Sequence, residues 1–179
     1  MKLEDFAEPW ECAGSLRDFV RKLPGILAAD LLRKAVDAIS ASLQKDRLVL
    51  LGMGAHPIKV GLNPVLIDAL QRRLLSGLAL NGAGVIHDVE LALAGKTSED
   101  VAAEIGSGSF GMAEETGRGL NEAIRRGWEQ GRGIGYAVGA AIEEGRLPFR
   151  RLSITAAGFR RGVPVTVHVA VGTDIIHLH

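Results

Sequence analysis

Residues 48–93 read LVLLGMGAHPIKVGLNPVLIDALQRRLLSGLALNGAGVIHDVELAL, and this stretch decides the fold. It contains two short, continuous apolar runs, as is typical of parallel strands that are covered on both faces. Each run ends in a glycine-rich turn and leads into apolar residues at helical spacing. The strands are predicted at 47–51 and 76–80, the turns at 52–61 and 81–84, and the helices at 62–74 and 85–94. This repeated order predicts a βαβ unit with a right-handed crossover.

The rest of the chain continues the alternation. Before the first strand, a helix is predicted from Leu27 to Leu43, with one buried apolar stripe. Further helices are predicted at 101–105, 113–130 and 134–144, and further strands at 152–156 and 163–171. We therefore predict one α/β domain over residues 1–179, with residues 1–25 as an N-terminal extension. The fold class is a three-layer, Rossmann-like domain with a mostly parallel sheet flanked by helices. Because doubly wound sheets usually have more than four strands, we expect a segment beyond His179 or a partner chain to complete it.

The composition excludes several classes of protein. Lys plus Arg and Asp plus Glu number 21 each, so no net field attracts nucleic acid or an anionic membrane. Cys12 is the only cysteine, which excludes an internal disulfide and fits a reducing compartment. The acidic N-terminus does not resemble a signal peptide, and no apolar run is long enough to span a membrane. We expect a cytoplasmic protein with no nucleic-acid or membrane partner.

The functional site of a parallel sheet is expected at the carboxyl ends of its strands. Three glycine-containing segments meet there by this rule: GMGAHPIK at 52–59, NGAGVIHD at 81–88 and AVGTDIIH at 170–177. In the first, Gly52 and Gly54 would allow a ligand to approach the backbone, and Lys59 could reach a phosphate. The segment lacks the full dinucleotide fingerprint, because Pro57 replaces its third glycine. A tight turn that merely requires glycine is an equal alternative.

His87 and Asp88 follow the second turn within one helical turn, and we predict that both face one crevice as a general-base pair. The alternative is a capping Asp88 beside a His87 packed on the helix flank. A metal site is a weaker alternative, with four candidate ligands in the last strand and the segment after it: His168, Asp174, His177 and His179. Glu114 and Glu115 most simply begin a helix, and contact with a substrate ammonium is the alternative.

These residues carry a resemblance. The stretch 48–93 resembles the nucleotide-binding segment of deoxyhypusine synthase and its bacterial relatives, and GVPVTVHVAVGTDIIH at 162–177 is similar to a later strand of that family. The resemblance implies an NAD-binding Rossmann-like domain, an amine or polyamine as small-molecule substrate, and a homo-oligomer, dimer or tetramer. The NAD-contacting residues that it implies fall in three turns: Gly52, Gly54, Ala55 and His56; Asn81, Gly82, Ala83 and Gly84; and Thr173 with Asp174.

Two departures separate the chain from that family. Where the synthases have a glutamate pair after the second turn, this chain has Ile86 and His87, and Asp88 alone keeps an acid. The lysine that forms an imine in the family has no counterpart among the lysines of this chain, which are Lys2, Lys22, Lys34, Lys45, Lys59 and Lys96. We therefore do not expect deoxyhypusine synthase activity. Two hypotheses remain: an NAD-dependent enzyme that uses His87 and Asp88, and a nucleotide-binding or structural domain without chemistry.

Overall fold

The structure is a computed structural model, and it describes residues 2–97 and 114–174, without the side chains of residues 114 and 115. The chain divides into two compact units, Met1–Val49 and Leu50–His179. The predicted N-terminal extension, residues 1–25, lies within the first unit.

The first unit contains a short 3₁₀ helix, Leu3–Asp5, and two α-helices, α1 (Leu16–Lys22) and α2 (Leu27–Gln44). Helix α2 confirms the predicted helix. The prediction that its apolar stripe is buried was wrong, because no residue of α2 is buried and Leu27 is 80% exposed. The physical reason is that the two helices of this unit form too few layers to enclose a stripe.

The second unit contains the sheet. Its elements, in chain order, are β1 (Leu50–Met53), α3 (His56–Lys59), α4 (Asn63–Gln71), β2 (Gly77–Asn81), α5 (Gly82–Ala94), α6 (Glu114–Glu129), α7 (Ile134–Glu144), a 3₁₀ helix (Arg150–Leu152), α8 (Ile154–Arg161) and β3 (Val165–His168). The three strands are parallel in the order β1-β2-β3. Helices flank the sheet, so the predicted α/β class and the parallel pairing are confirmed for the described residues.

The core of the second unit lies around the central strand. Leu78 and Leu80 of β2 are buried with Val85 of α5, Val138 of α7 and Ile154 of α8. Burying each of these side chains contributes roughly 1.5–3 kcal/mol relative to leaving it exposed. The apolar runs of the sequence therefore serve as the buried strand and as the helix faces around it.

Helix α7 packs closely because it carries glycine at its contacts. A Cβ at Gly135 would overlap the carbonyl of Val165 in β3, and a Cβ at Gly139 would overlap the carbonyl of Thr155 in α8. These two positions let the α7 backbone approach both neighbours more closely than any side chain would allow.

The predicted strand at 152–156 was wrong. Residues 150–152 form the 3₁₀ helix and α8 begins at Ile154, because Ser153 caps the helix through its Oγ, 3.0 Å from the Ala156 nitrogen. The described residues thus form three strands instead of the predicted four.

Two further boundaries differ. The predicted turn at 81–84 was wrong, because β2 ends at Asn81 and α5 begins at Gly82 without a loop. The first strand begins at Leu50, three residues later than predicted, and β3 ends at His168. The predicted helix at 101–105 lies outside the described residues.

Candidate functional site at the carboxyl edge of the sheet

The carboxyl ends of the strands bring the predicted turns together. In the sheet register, Met53 pairs with Leu80 and Asn81 pairs with His168, so the residues that follow β1, β2 and β3 emerge at the same edge. A Cβ built at Gly54 would lie 3.6 Å from the Asn81 side-chain nitrogen. The first two predicted turns therefore meet at this edge.

The first turn of α5 occupies the centre of the edge. Asn81 caps the helix: its Oδ1 accepts a hydrogen bond from the Gly84 N–H at 2.9 Å. The N-terminus of a helix presents backbone N–H groups and a partial positive charge, which together favour an anion. Asn81 is exposed, whereas Gly82 and Gly84 are buried.

Asp174 brings the third predicted turn to the same place. Its carboxylate fills the space that a Cβ at Gly82 would need. Its Oδ2 is buried and has no hydrogen-bond partner among the described residues. A buried carboxylate oxygen without a donor is costly, so this atom marks a position where a ligand hydroxyl or N–H would be stabilised.

The other predicted cofactor-binding residues lie around this centre. Gly52 and Gly54 are exposed, Ala55 is buried, and His56 and Lys59 are exposed residues of the short helix α3. Ala83 is half-buried in the first turn of α5. The Thr173 hydroxyl donates to the Ala170 carbonyl at 2.8 Å and so closes the turn that precedes Asp174.

Asp88 is the most buried acid of the described chain and lies inside the core, at 0% exposure. Its carboxylate accepts five hydrogen bonds, from the Asn63 amide, the Ser153 hydroxyl, the Ile154 N–H, and the N–H and hydroxyl of Thr155. Burial raises the pKa of the Asp88 carboxyl, and the hydrogen bonds from Thr155 and Ser153 oppose that rise. Asp88 thereby caps α8 from another helix.

His87 has different surroundings. Its Nδ1 lies 2.7 Å from Glu90 Oε2, and both side chains are 16% exposed. The prediction that His87 and Asp88 face one crevice was wrong, because adjacent helical residues point about 100° apart and contact different partners here. The alternative of a capping acid beside a histidine on the helix flank describes this arrangement better, although the helix that Asp88 caps is α8 and not its own. Their catalytic role stays a prediction.

Sequence reasoning missed Glu90 and the partners of Asp88. The spacing of His87 and Glu90, three residues apart within a helical pattern, was a usable signal for their contact. No local signal links Asp88 to Ser153, because 65 residues separate them.

The residues of the metal alternative do not form a cluster in the described part of the chain. His168 Nε2 lies 3.0 Å from the Thr166 hydroxyl, and Asp174 lies at Gly82. His177 and His179 are outside the described residues. Across residues 2–97 and 114–174, no three His, Cys, Asp or Glu side chains are grouped so that they could hold a metal ion. Glu114 begins α6, as the simpler interpretation of that acidic stretch predicts.

Comparison with known proteins shows the fold alone. No protein family matches the chain, and no curated protein matches it. A solved structure titled as a conserved putative LOR/SDH protein from Methanococcus maripaludis S2 superposes with a TM-score of 0.53 at 14% identity. The match covers 97% of this chain and 48% of that one, so this chain spans about half the length of that solved structure.

None of the helices described is both long enough and apolar enough to cross a membrane.

Proposed function

We propose that the carboxyl edge of the sheet binds a dinucleotide, and that the dinucleotide is NAD. The single observation that carries this proposal is the meeting of Gly54, the Asn81-capped start of α5, and Asp174. The buried Asp174 Oδ2, without a donor among the described residues, fits a ribose hydroxyl, and it lies at Gly82, the first residue of α5. The superposition on a LOR/SDH protein favours a three-layer Rossmann-like fold, and the resemblance to deoxyhypusine synthase makes NAD the dinucleotide to test.

When bound, NAD would supply hydride transfer, and the chain's own residues would bind and orient the reactants. The proposed substrate is a small molecule, with amines as the first class to test. A cytoplasmic location and a homo-oligomer remain part of this proposal.

The decisive experiment is a calorimetric titration of NAD into the wild-type chain and into Asp174→Ala. We expect wild type to bind and Asp174→Ala to bind about tenfold more weakly or worse, because a hydrogen bond to a charged acceptor contributes about 1.5–3 kcal/mol. The matched control is Gly119→Ala on α6, where an added Cβ meets no atom of the described residues within 4 Å. The proposal would be contradicted if wild type did not bind NAD, or if Asp174→Ala bound NAD as tightly as Gly119→Ala and wild type.

A non-catalytic nucleotide-binding or structural domain is the second candidate. The observation that favours it is that the Asp88 carboxylate accepts hydrogen bonds from α4, from α8 and from Ser153, which caps α8. Asp88, one of the two predicted catalytic groups, therefore faces these partners and not the site. Absorbance at the NADH band during incubation with NAD and a panel of amines separates the two candidates. Binding without turnover on the panel would support the second candidate, and turnover that is lost in His87→Ala would support the enzyme.

A further inference from the structure

The Asp174 carboxylate packs against the first residue of α5. Its Cγ, Oδ1 and Oδ2 atoms all lie within contact distance of the point where a Cβ of residue 82 would stand. Because residue 82 is glycine, the carboxylate has room to lie there. Asp174 thus holds a negative charge against the start of α5, at the carboxyl edge of the sheet.

No described side chain neutralises this charge. The buried Oδ2 has no hydrogen-bond donor, and no lysine, arginine or histidine of the described residues forms an ion pair with Asp174. The hydroxyl of the preceding residue, Thr173, donates to the Ala170 carbonyl at 2.8 Å and so is not the missing donor. The carboxylate can therefore accept a hydrogen bond from a ligand, but it offers an incoming anion no counter-charge.

A free ribose and a phosphorylated ribose interact with such a carboxylate in opposite ways. A hydroxyl donates its hydrogen to a carboxylate oxygen, and hydrogen bonds to a charged acceptor are among the stronger ones. A phosphate monoester presents acceptor oxygens and a charge of about −1.5 to −2 at pH 7, so it repels the carboxylate. Dinucleotide sites that accept a ribose 2′-phosphate hold it with an arginine, whereas an acid accepts from the free hydroxyl.

We propose that Asp174 restricts the site to dinucleotides with an unphosphorylated ribose, and so makes the site select NAD over NADP. This inference rests on the proposed function, since it assigns the Asp174 carboxylate to the adenosine ribose, whose 2′-hydroxyl carries the phosphate in NADP. The selection is a difference between two binding free energies, in which Asp174 attracts one ligand and repels the other. Asp174 is therefore a specificity-determining residue that acts through its charge.

The test is a calorimetric titration of NAD and of NADP into the full wild-type chain and into Asp174→Asn, which keeps the size of the side chain and removes its charge. We expect wild type to bind NADP at least about tenfold more weakly than NAD, because like charges repel strongly where water is excluded. In Asp174→Asn we expect the two affinities to lie within about threefold, since an amide both accepts from a hydroxyl and donates to a phosphate. The matched control is Asp68→Asn, the same change at an acid of α4 that pairs with the exposed Arg72, and it should keep the wild-type ratio of the two affinities.

The possible results separate this inference from the proposed function. If wild type binds NADP as tightly as NAD, or if Asp174→Asn keeps the wild-type ratio, the selective role of Asp174 is overturned and dinucleotide binding stands. If wild type binds neither dinucleotide, the proposed function and this inference fall together. Asp174→Ala is the second variant and should show the same narrowed ratio, and circular dichroism melting of each variant checks that it folds.

Discussion

The Thr155 hydroxyl donates to the Asp88 carboxylate across 2.6 Å, although 67 residues separate the two in the chain. The contact joins α5 to the first turn of α8, and the Ile154 and Thr155 N–H groups donate to the same carboxylate. One acid therefore satisfies backbone groups that an isolated helix leaves unpaired at its N-terminus. The stability of the second unit should depend on it.

Replacing Asp88 by alanine should lower the free energy of unfolding by about 3 kcal/mol, because several buried donors lose the carboxyl oxygens that accept their hydrogen bonds. Urea unfolding followed by circular dichroism measures this change. The control is Asp68→Ala, whose carboxylate pairs with Arg72 on the exposed side of α4 and should change stability by less than about 1 kcal/mol. Equal losses in the two variants would show that the Asp88 network contributes nothing specific.

The stability contribution of Asp88 should depend on pH. Because burial raises its pKa above the ordinary value of 3.8, the folded chain holds this proton more tightly than the unfolded chain. The part of the stability that comes from this tighter proton binding is therefore fully present below pH 3.8 and is lost as pH rises through the folded-state pKa. The free energy of unfolding of wild type minus that of Asp88→Asn should decrease over that pH range. The contributions of the other acids are the same in both proteins and cancel in this difference. An increase with pH would mean that the hydrogen bonds outweigh burial.

The close approach of α7 to its neighbours should not tolerate a methyl group. Gly135→Ala and Gly139→Ala should each lower the melting temperature, with a loss of about 1–3 kcal/mol, since the added Cβ would overlap a backbone carbonyl of β3 or α8. Gly119→Ala on α6, where the added Cβ has no neighbour within 4 Å among the described residues, should be neutral or slightly stabilising. Thermal unfolding of the three variants side by side distinguishes packing from helix propensity.

In the first unit, Ser15 and Asp18 form a capping box at the start of α1. The hydrogen bonds from the Ser15 hydroxyl and N–H lower the pKa of the Asp18 carboxyl. Ser15→Ala should therefore raise that pKa towards the ordinary value, as measured by NMR titration of the carboxyl carbon. Wild-type α1 should fray as pH falls through the lowered pKa, because protonation removes the negative charge and weakens the acceptor. Ser40→Ala, on α2, should leave the Asp18 titration unchanged.

The sequence pattern predicts the central strand well and α8 badly, for a physical reason. Gly77–Asn81 is a short apolar run between polar segments, so the neighbouring residues alone indicate a strand. The run LSITA at 152–156 has the same local character, but Ser153 and the distant Asp88 hold its N–H groups in a helix. The pattern of neighbouring residues in the sequence does not reveal a hydrogen-bond partner that lies 65 residues away.

The candidate site was also predictable from the sequence only in part. The rule that the residues after parallel strands emerge at one edge of the sheet correctly brings Gly54, Asn81 and Asp174 together. The burial of Asp88 against α8 was not predictable from the turn, because it depends on which face of α5 meets α8. That face is set by packing of the whole helix against the core.

The direct passage from β2 into α5 makes the length of this junction as important as its residues. Since Asn81 ends the strand and Gly82 begins the helix, one inserted residue between them would rotate all that follows by about 100°. His87 would then enter the place of Asp88 beneath α8, and Ile86 and Val89 would enter the places of His87 and Glu90. Substitutions at this junction would be graded in effect, whereas a single insertion would change the side chains on every face of the helix at once.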